Sequence, residues 1–372
     1  MDFDISDDQE ELRNSVRSVL EQECPLALVR ERVEKATVAD QPWRSATELG
    51  WAGIAVPERF GGLGLGFVEL ALVVEEHGRS LAPGPFLATV TQFVPAVREA
   101  GNDEQQERFL TAAVAGHASG CLAAANPAGA CLPGDDALRA RRDGDDWILQ
   151  GVRSFVLDGD AADEIAVSAH VDDGDGVGLF VVPGSAAKRE RLESLDATRP
   201  IATLEFDEVR VAADRVLGIP GASAPALARA LEEATVAIAL ETVGTCQALF
   251  DMTLEYAKHR EQFGHPIGSF QAIQHKFADM FAVVEKARET GYFAAMAIAE
   301  DDERRAMAAS MAKVAAGDCQ RMLAKEGIQI HGGIGFTWEH DVHLFVKRAK
   351  TGEALFGTSA FHRMRIADTL GV

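Results

Sequence analysis

The sequence predicts an α+β chain in three successive regimes: a helical N-terminal region over 1–119, a compact antiparallel β domain over 120–218, and a C-terminal helical bundle over 219–372. Three observations predict it. Apolar residues recur every three or four positions at both ends of the chain. Short β-forming runs bounded by Gly and Asp crowd the middle. The 372 residues suffice for two or three units of about 100–200 residues each.

In the first region Leu12, Val16, Val19 and Leu20 share one helical face, and so do Leu70, Val73 and Val74. Between them Pro57-Glu58-Arg59-Phe60-Gly61-Gly62-Leu63-Gly64-Leu65-Gly66 runs straight into a helix. It lacks the spacing and βαβ setting of a dinucleotide loop, so it reads as a tight turn. The middle region offers Trp147-Ile148-Leu149, Ser154-Phe155-Val156-Leu157, Glu164-Ile165-Ala166-Val167, Leu179-Phe180-Val181-Val182 and Thr203-Leu204-Glu205-Phe206, with turns at Asp143-Gly144 and Asp158-Gly159. Strands this short and this closely spaced fit an antiparallel sheet. Further on, Ile273, Phe277, Met280, Val284 and Ala287 line one long helix, Met307, Met311, Val314 and Met322 the next, and Leu240, Val243 and Leu254 a third that runs towards Arg260. Facing helices of this length form an antiparallel bundle.

A formal charge of −22 argues against a general nucleic-acid or anionic-membrane binder, because both partners are polyanions. The acidity is uneven: 21 basic against 42 acidic residues over 1–250, but 15 against 16 over 251–372. An anionic ligand is therefore expected in the last third. Five cysteines without a CxxC pair make neither a disulfide framework nor a zinc site. The acidic start Met1-Asp2-Phe3-Asp4 lacks the features of a signal peptide, and no apolar run is long enough to span a bilayer. A soluble, cytoplasmic protein is expected, with no nucleic-acid partner and no membrane span.

The third helix ends in Arg260-Glu261-Gln262-Phe263-Gly264 and is followed by Gly268-Ser269-Phe270-Gln271; far downstream comes Gln329-Ile330-His331-Gly332-Gly333-Ile334-Gly335-Phe336. An arginine at a helix end, an aromatic, two glutamines and a Gly-Gly turn could hold a diphosphate and stack on a planar ring. These patterns resemble the acyl-CoA dehydrogenase family over nearly the whole chain, as do Gly50 to Gly62, Phe206 to Val211 and Val216-Leu217-Gly218. The resemblance implies that family's fold, with a C-terminal four-helix bundle, and FAD held between the β domain of one subunit and the bundle of its neighbour. By that resemblance Arg260, Gln262, Phe263, Phe270, Gln271, Gln329, Gly332, Gly333 and Thr358 would contact FAD. The implied chemistry is α,β-dehydrogenation of an acyl-CoA thioester, with a carboxylate as base and electron-transferring flavoprotein as the default acceptor.

Three departures bear on that chemistry. The run Arg348 to Ser359 places Phe356 where the family carries its catalytic Glu, and phenylalanine accepts no proton; Glu353 lies three residues earlier and could reach only if the loop were rebuilt. Relatives with the base on the helix before Arg260 align it with Ala234; Glu233 lies about 100° round that helix, and Glu241 returns to the same face about 10 Å on. Glu241 is thus the fallback base, to be set against a polar residue facing a neighbouring subunit or a buried ion pair. Finally, the segment that offers hydroxyls to the flavin reads Ala124-Ala125-Asn126-Pro127-Ala128-Gly129-Ala130-Cys131, and the second reads Phe155-Val156-Leu157, with Ala125 and Leu157 replacing those hydroxyls. Ring atoms left unpaired there each cost about 1–3 kcal/mol.

The damaged private site and the sound lent half suggest a helper chain in a heterotetramer with a paralogous dehydrogenase, one that completes the partner's FAD site. By analogy its substrates include bulky steroid-derived thioesters, and Ala234 is compatible with a wide cavity. One alternative is a self-sufficient enzyme, homodimeric or homotetrameric, using Glu241; another is a non-enzymatic structural or binding homologue. Glu339-His340-Asp341-Val342-His343 lacks a third partner for a metal, and Ser154 and Ser359 lack a His/Asp context, so these read as structural.

Overall fold

The first helix begins where the sequence supplies a capping box: the Gln9 N–H donates to the Ser6 hydroxyl at 3.2 Å, and the Ser6 N–H donates to the Gln9 side chain at 3.0 Å. The computed structural model describes residues 5–35, 41–131, 135–172 and 176–372; the Met1 to Asp4 terminus lies outside them. Helices α1 (Asp7–Glu23), α2 (Leu26–Lys35), α3 (Gln41–Glu48) and α4 (Phe67–Arg79) are followed by α5 (Phe86–Ala88), a π turn (Thr89–Phe93), α6 (Val94–Ala100) and α7 (Asp103–Val114). The expected stripes are buried at Val16 and Leu20 in α1 and at Leu70, Val73 and Val74 in α4. The glycine-rich run before α4 is a tight turn. A Cβ on Gly62 would lie 2.0 Å from the Val56 carbonyl, so packing alone requires glycine there.

Strands β1 (Gly120–Ala123), β2 (Leu138–Asp143), β3 (Asp146–Leu157), β4 (Glu164–Val171), β5 (Gly176–Pro183), β6 (Lys188–Arg191), β7 (Ile201–Val211) and β8 (Val216–Leu217) form one sheet ordered β6-β7-β3-β2-β4-β5-β8, with β1 beside β4. The sheet is mixed rather than wholly antiparallel: β4 pairs in parallel with β1 through Cys121↔Ile165 and with β2 through Arg139↔His170. Two different strands thus share one edge of β4, which strand spacing could not reveal. The runs expected at 147–149 and 154–157 are one twelve-residue strand. Register shifts against β7 between Leu149 and Gly151 and between Arg153 and Val156 break its alternation in the manner of bulges.

The C-terminal region contains α8 (Ala224–His259), a hairpin of β9 (Glu261–Gln262) and β10 (His265–Pro266), then α9 (Gln271–Ala299), α10 (Arg305–His331), α11 (Val342–Ala354) and α12 (Ser359–Leu370). The expected face of α9 holds, with Phe277, Met280, Val284 and Ala287 buried. That of α10 does not: Met311 is 39% exposed, and the buried face is Ala308, Ala309, Ala312, Ala316, Gly317 and Leu323. Small residues let α10 approach its neighbours closely, so Met311 turns outward while Met307 and Met322 are only partly buried. Among the described residues no helix is long and apolar enough to cross a membrane. By contact density the chain forms two units, one from 1–38, 71–82 and 235–372, the other from 39–70 and 83–234.

Candidate functional site

In the unit that holds the bundle, α8 ends, α9 begins and α10 ends at one pole. The ring of Tyr256 near the end of α8 stacks on His331 at the end of α10, centroids 4.5 Å apart. The chain leaves α8 through a two-residue hairpin whose tip, Phe263 and Gly264, has φ of 55° and 79°. Left-handed backbone at both tip positions is what such a turn requires. It is strained for phenylalanine, and the Phe263 ring is 90% exposed, with Phe270 edge-on at 6.3 Å. Among the described residues nothing pairs with the Arg260 guanidinium or with the side-chain amides of Gln271 and Gln329, and all three are exposed. The Gln262 amide donates only to the Glu261 carbonyl, at 2.7 Å. A Cβ on Gly332 or Gly333 would meet nothing within 4 Å. The chain's own packing therefore does not demand glycine at 333, although φ of 65° favours it at 332.

Thr358 is not part of that cluster. It caps α12 by accepting the Phe361 N–H at 3.3 Å and adjoins Gly357, whose carbonyl accepts from Lys313 at 2.8 Å. Lys313 lies about 27 Å along α10 from His331. Here the sequence reading missed the controlling groups. The buried Lys313 ammonium also donates to the Gly352 and Glu353 carbonyls at 2.9 and 2.8 Å, satisfying the last turn of α11. His362 Nε2 donates to the Phe356 carbonyl at 3.0 Å, and its Nδ1 accepts the Ser310 hydroxyl at 3.2 Å. These clamps hold Phe356 at φ of 56°. The loop is not rebuilt to present Glu353: its carboxylate accepts the Ser359 N–H at 3.3 Å and pairs with Lys350 at 3.0 Å. Burial pushes that carboxyl up, but Lys350 and the Ser359 N–H outweigh it and hold it below its usual range. The signal that could have found Lys313 is a charge on an otherwise alanine-rich helical face.

Glu241 forms an ion pair with Arg348 at 2.8 Å, the two side chains 2% and 4% exposed, which is the ion-pair reading set beside its role as a fallback base. Ala234 is fully buried. Its neighbour Glu233 faces Arg98, and burial pushes the Glu233 carboxyl up against the pull of that arginine.

In the other unit, the Ala125 carbonyl accepts the Ser154 N–H at 3.0 Å, Leu157 is 3% exposed, and Phe155 stands at φ of 55° and 43% exposed. The Ser154 hydroxyl nearby accepts from the Thr203 hydroxyl at 3.2 Å. No side-chain donor replaces what Ala125 and Leu157 lack at their own positions. Elsewhere, His340 packs edge-on to His331 and His343 stacks on Trp338, and among the described residues no three metal-ligating groups converge.

Two histidines make stability depend on pH. Burial lowers His77 and His362 from 6.5 to about 4 each, against the Val73 and Phe356 carbonyls that favour their charged forms. Their folded pKa values lie below the unfolded ones, so their contribution is complete above about pH 6.5 and is lost as pH falls towards 4. At about pH 5 the expected loss is roughly 2 kcal/mol per histidine. Urea midpoints measured from pH 7 to pH 5 check this, and His362→Gln is expected to reduce the slope.

The bundle thus carries at one pole an arginine unpaired among the described residues, exposed aromatics and an open Gly-Gly turn, a set able to receive an anionic ligand with a planar ring. Residues 6–117 match the family description "Acyl-CoA dehydrogenase, N-terminal domain", and residues 225–371 match "Acyl-CoA dehydrogenase, C-terminal domain". The chain is similar to the probable acyl-CoA dehydrogenase YngJ of Bacillus subtilis, with 30% identity over 100% of both chains. It is also similar to a chain of the ChsE4-ChsE5 complex from Mycobacterium tuberculosis, with 27% identity, TM-score 0.91, and coverage of 100% of this chain and 99% of that one. A variant of the Tcur3481-Tcur3483 steroid ACAD gives 29% identity, TM-score 0.87 and 98% coverage of each. The chain belongs to the acyl-CoA dehydrogenase family.

Proposed function

We propose that this chain is the helper subunit of a heteromeric acyl-CoA dehydrogenase: it completes an FAD site on a paralogous partner and supplies no catalytic base. One contrast carries the reading. The pole with Arg260, Gln271, Gln329 and Gly333 is open and unpaired, whereas Ala125, Leu157 and Phe356 offer neither a hydrogen-bonding side chain nor a carboxylate. Random loss of function does not spare one half of a divided site.

The residues present fit half of the cofactor. Arg260 would hold its diphosphate through paired N–H donors, the open backbone at Gly332-Gly333 would let the group approach, and Phe263 and Phe270 would cover apolar surface. Held there, FAD would supply the hydride acceptor for oxidation of an acyl thioester. Phe356 takes no proton, so the α-proton must leave to a carboxylate of the partner. Electron-transferring flavoprotein is the proposed acceptor. The two-component ChsE4-ChsE5 and Tcur3481-Tcur3483 assemblies support a heteromer, and the latter supports steroid-derived thioesters as the substrate class.

The test is Arg260→Ala and Gly333→Ala in the chain co-expressed with a paralogous partner. Loss of a charged phosphate contact worth about 1.5–3 kcal/mol is expected to weaken flavin retention roughly 10–100-fold. Gly333→Ala is expected to leave thermal stability unchanged, since its Cβ meets nothing within 4 Å, while flavin content falls. Undiminished flavin in both variants would contradict the reading.

A further inference from the structure

The Gly332-Gly333 turn opens a loop that closes on itself. His331, the last residue of α10, and His340, just before α11, meet edge-on with ring centroids 4.6 Å apart. Tyr256 faces both, stacked on His331 at 4.5 Å and edge-on to His340 at 6.2 Å. The chain between them leaves and returns within the width of these rings, in the manner of a short Ω-loop. Within it the Thr337 N–H donates to the Ile334 carbonyl at 3.1 Å, and Phe336 is 81% exposed. The loop has little core of its own to fix its shape.

Its returning limb is held from outside, by α2. Arg30 Nε donates to Asp341 Oδ1 at 2.9 Å, and Nη1 donates to the Trp338 carbonyl at 2.9 Å and to the Glu34 carboxylate at 3.2 Å. Glu34 in turn accepts the Trp338 indole N–H at 3.1 Å. The same indole stacks on His343 with centroids 4.6 Å apart and carries the Lys347 ammonium 4.8 Å from its ring centre. Trp338 is nonetheless 48% exposed, so α2 and α11 grip a side chain that the core does not bury. The Arg30 and Asp341 side chains are themselves 23% and 33% exposed, and an ion pair in that position adds little to global stability. What these contacts remove is local freedom: they fix Trp338 and Asp341, therefore His340, and therefore the far end of the loop that begins at Gly332.

We propose that Arg30 is a positioning residue for the candidate cofactor pole: through Trp338 and Asp341 it sets the conformation of the 332–340 loop, and thereby how tightly the Gly332-Gly333 turn receives a dinucleotide. The inference rests on the reading of that pole given above. Hydrogen exchange of the full chain is followed at Gly332 and Thr337, whose N–H groups donate to the Ile328 and Ile334 carbonyls. Met280, on the buried face of α9, serves as the control for global opening. Arg30→Met is expected to speed exchange at Gly332 and Thr337 at least about tenfold while Met280 is unchanged. In the complex co-expressed with a paralogous partner it is expected to weaken flavin retention about tenfold, the scale of one charged hydrogen bond. Arg30→Lys keeps a charge beside Asp341 but cannot serve three acceptors from one planar group, so it is expected to restore part of both. If Arg30→Met does not fold, Asp341→Asn removes the same pair from the opposite side. Equal exchange at Gly332 in wild type and variant overturns the proposal, and so does faster exchange with undiminished flavin. A wild-type complex without flavin overturns the reading of the pole and the proposal with it, and is recognised before any substitution is made.

Discussion

Replacing Lys313 with methionine is expected to lower the unfolding free energy by about 3–6 kcal/mol. Three carbonyls, those of Gly352, Glu353 and Gly357, lose their donor at once, and each unsatisfied buried acceptor costs about 1–3 kcal/mol. Removing the ammonium also removes its own desolvation penalty, which keeps the sum below the upper limit of three such losses. The damage is expected to be local first. The 355–358 loop, with Phe356 at φ of 56° and Gly357 at 100°, is held by Lys313 and His362, so its strain is released when the ammonium goes. Urea unfolding gives the magnitude, and hydrogen exchange at Ser359 and Phe361 gives the location. A loss below about 1 kcal/mol, within the range of one ordinary hydrogen bond, would contradict this account of the loop.

The second large effect separates two readings of Glu241. Glu241→Gln leaves the Arg348 guanidinium buried without its counter-charge, and breaking such a pair costs about 3–5 kcal/mol. The double variant Glu241→Leu with Arg348→Met removes both charges and is expected to regain most of that loss. If the pair is purely structural, turnover by the assembled complex survives in the double variant once the protein is folded. If Glu241 is a base, every variant lacking it loses turnover, whatever its stability. The double variant therefore discriminates where either single change alone does not.

Much of the fold was legible because periodic burial leaves a direct trace. Val16, Leu20, Leu70, Val73 and Phe277 are buried where their spacing required. Strand β1 was missed because Gly120-Cys121-Leu122-Ala123 carries no β-branched or aromatic residue, yet all four are buried. The wrong face of α10 was chosen because methionines outweigh alanines in any hydrophobic pattern, whereas close helix packing selects the smaller side chains. At the candidate site, Arg260, Gln271, Gln329, Gly332 and Gly333 are separated by up to about seventy residues in sequence. Helices running in alternate directions explain why motifs so far apart share one pole. Thr358 could not be placed by the same reasoning, since its position depends on where Lys313 clamps the loop. Lys313, Arg348 and His362 were illegible for a related reason: each acts through backbone carbonyls or partners distant in sequence, and such contacts leave no motif.

The most direct measurement is the flavin stoichiometry of the purified chain, alone and after co-expression with a paralogous partner, read from the visible flavin absorbance against polypeptide concentration. The account predicts a colourless protein alone and a yellow complex with one flavin for each pair of unlike chains. A homomer of this chain carrying one flavin per polypeptide and oxidising an acyl-CoA would contradict it.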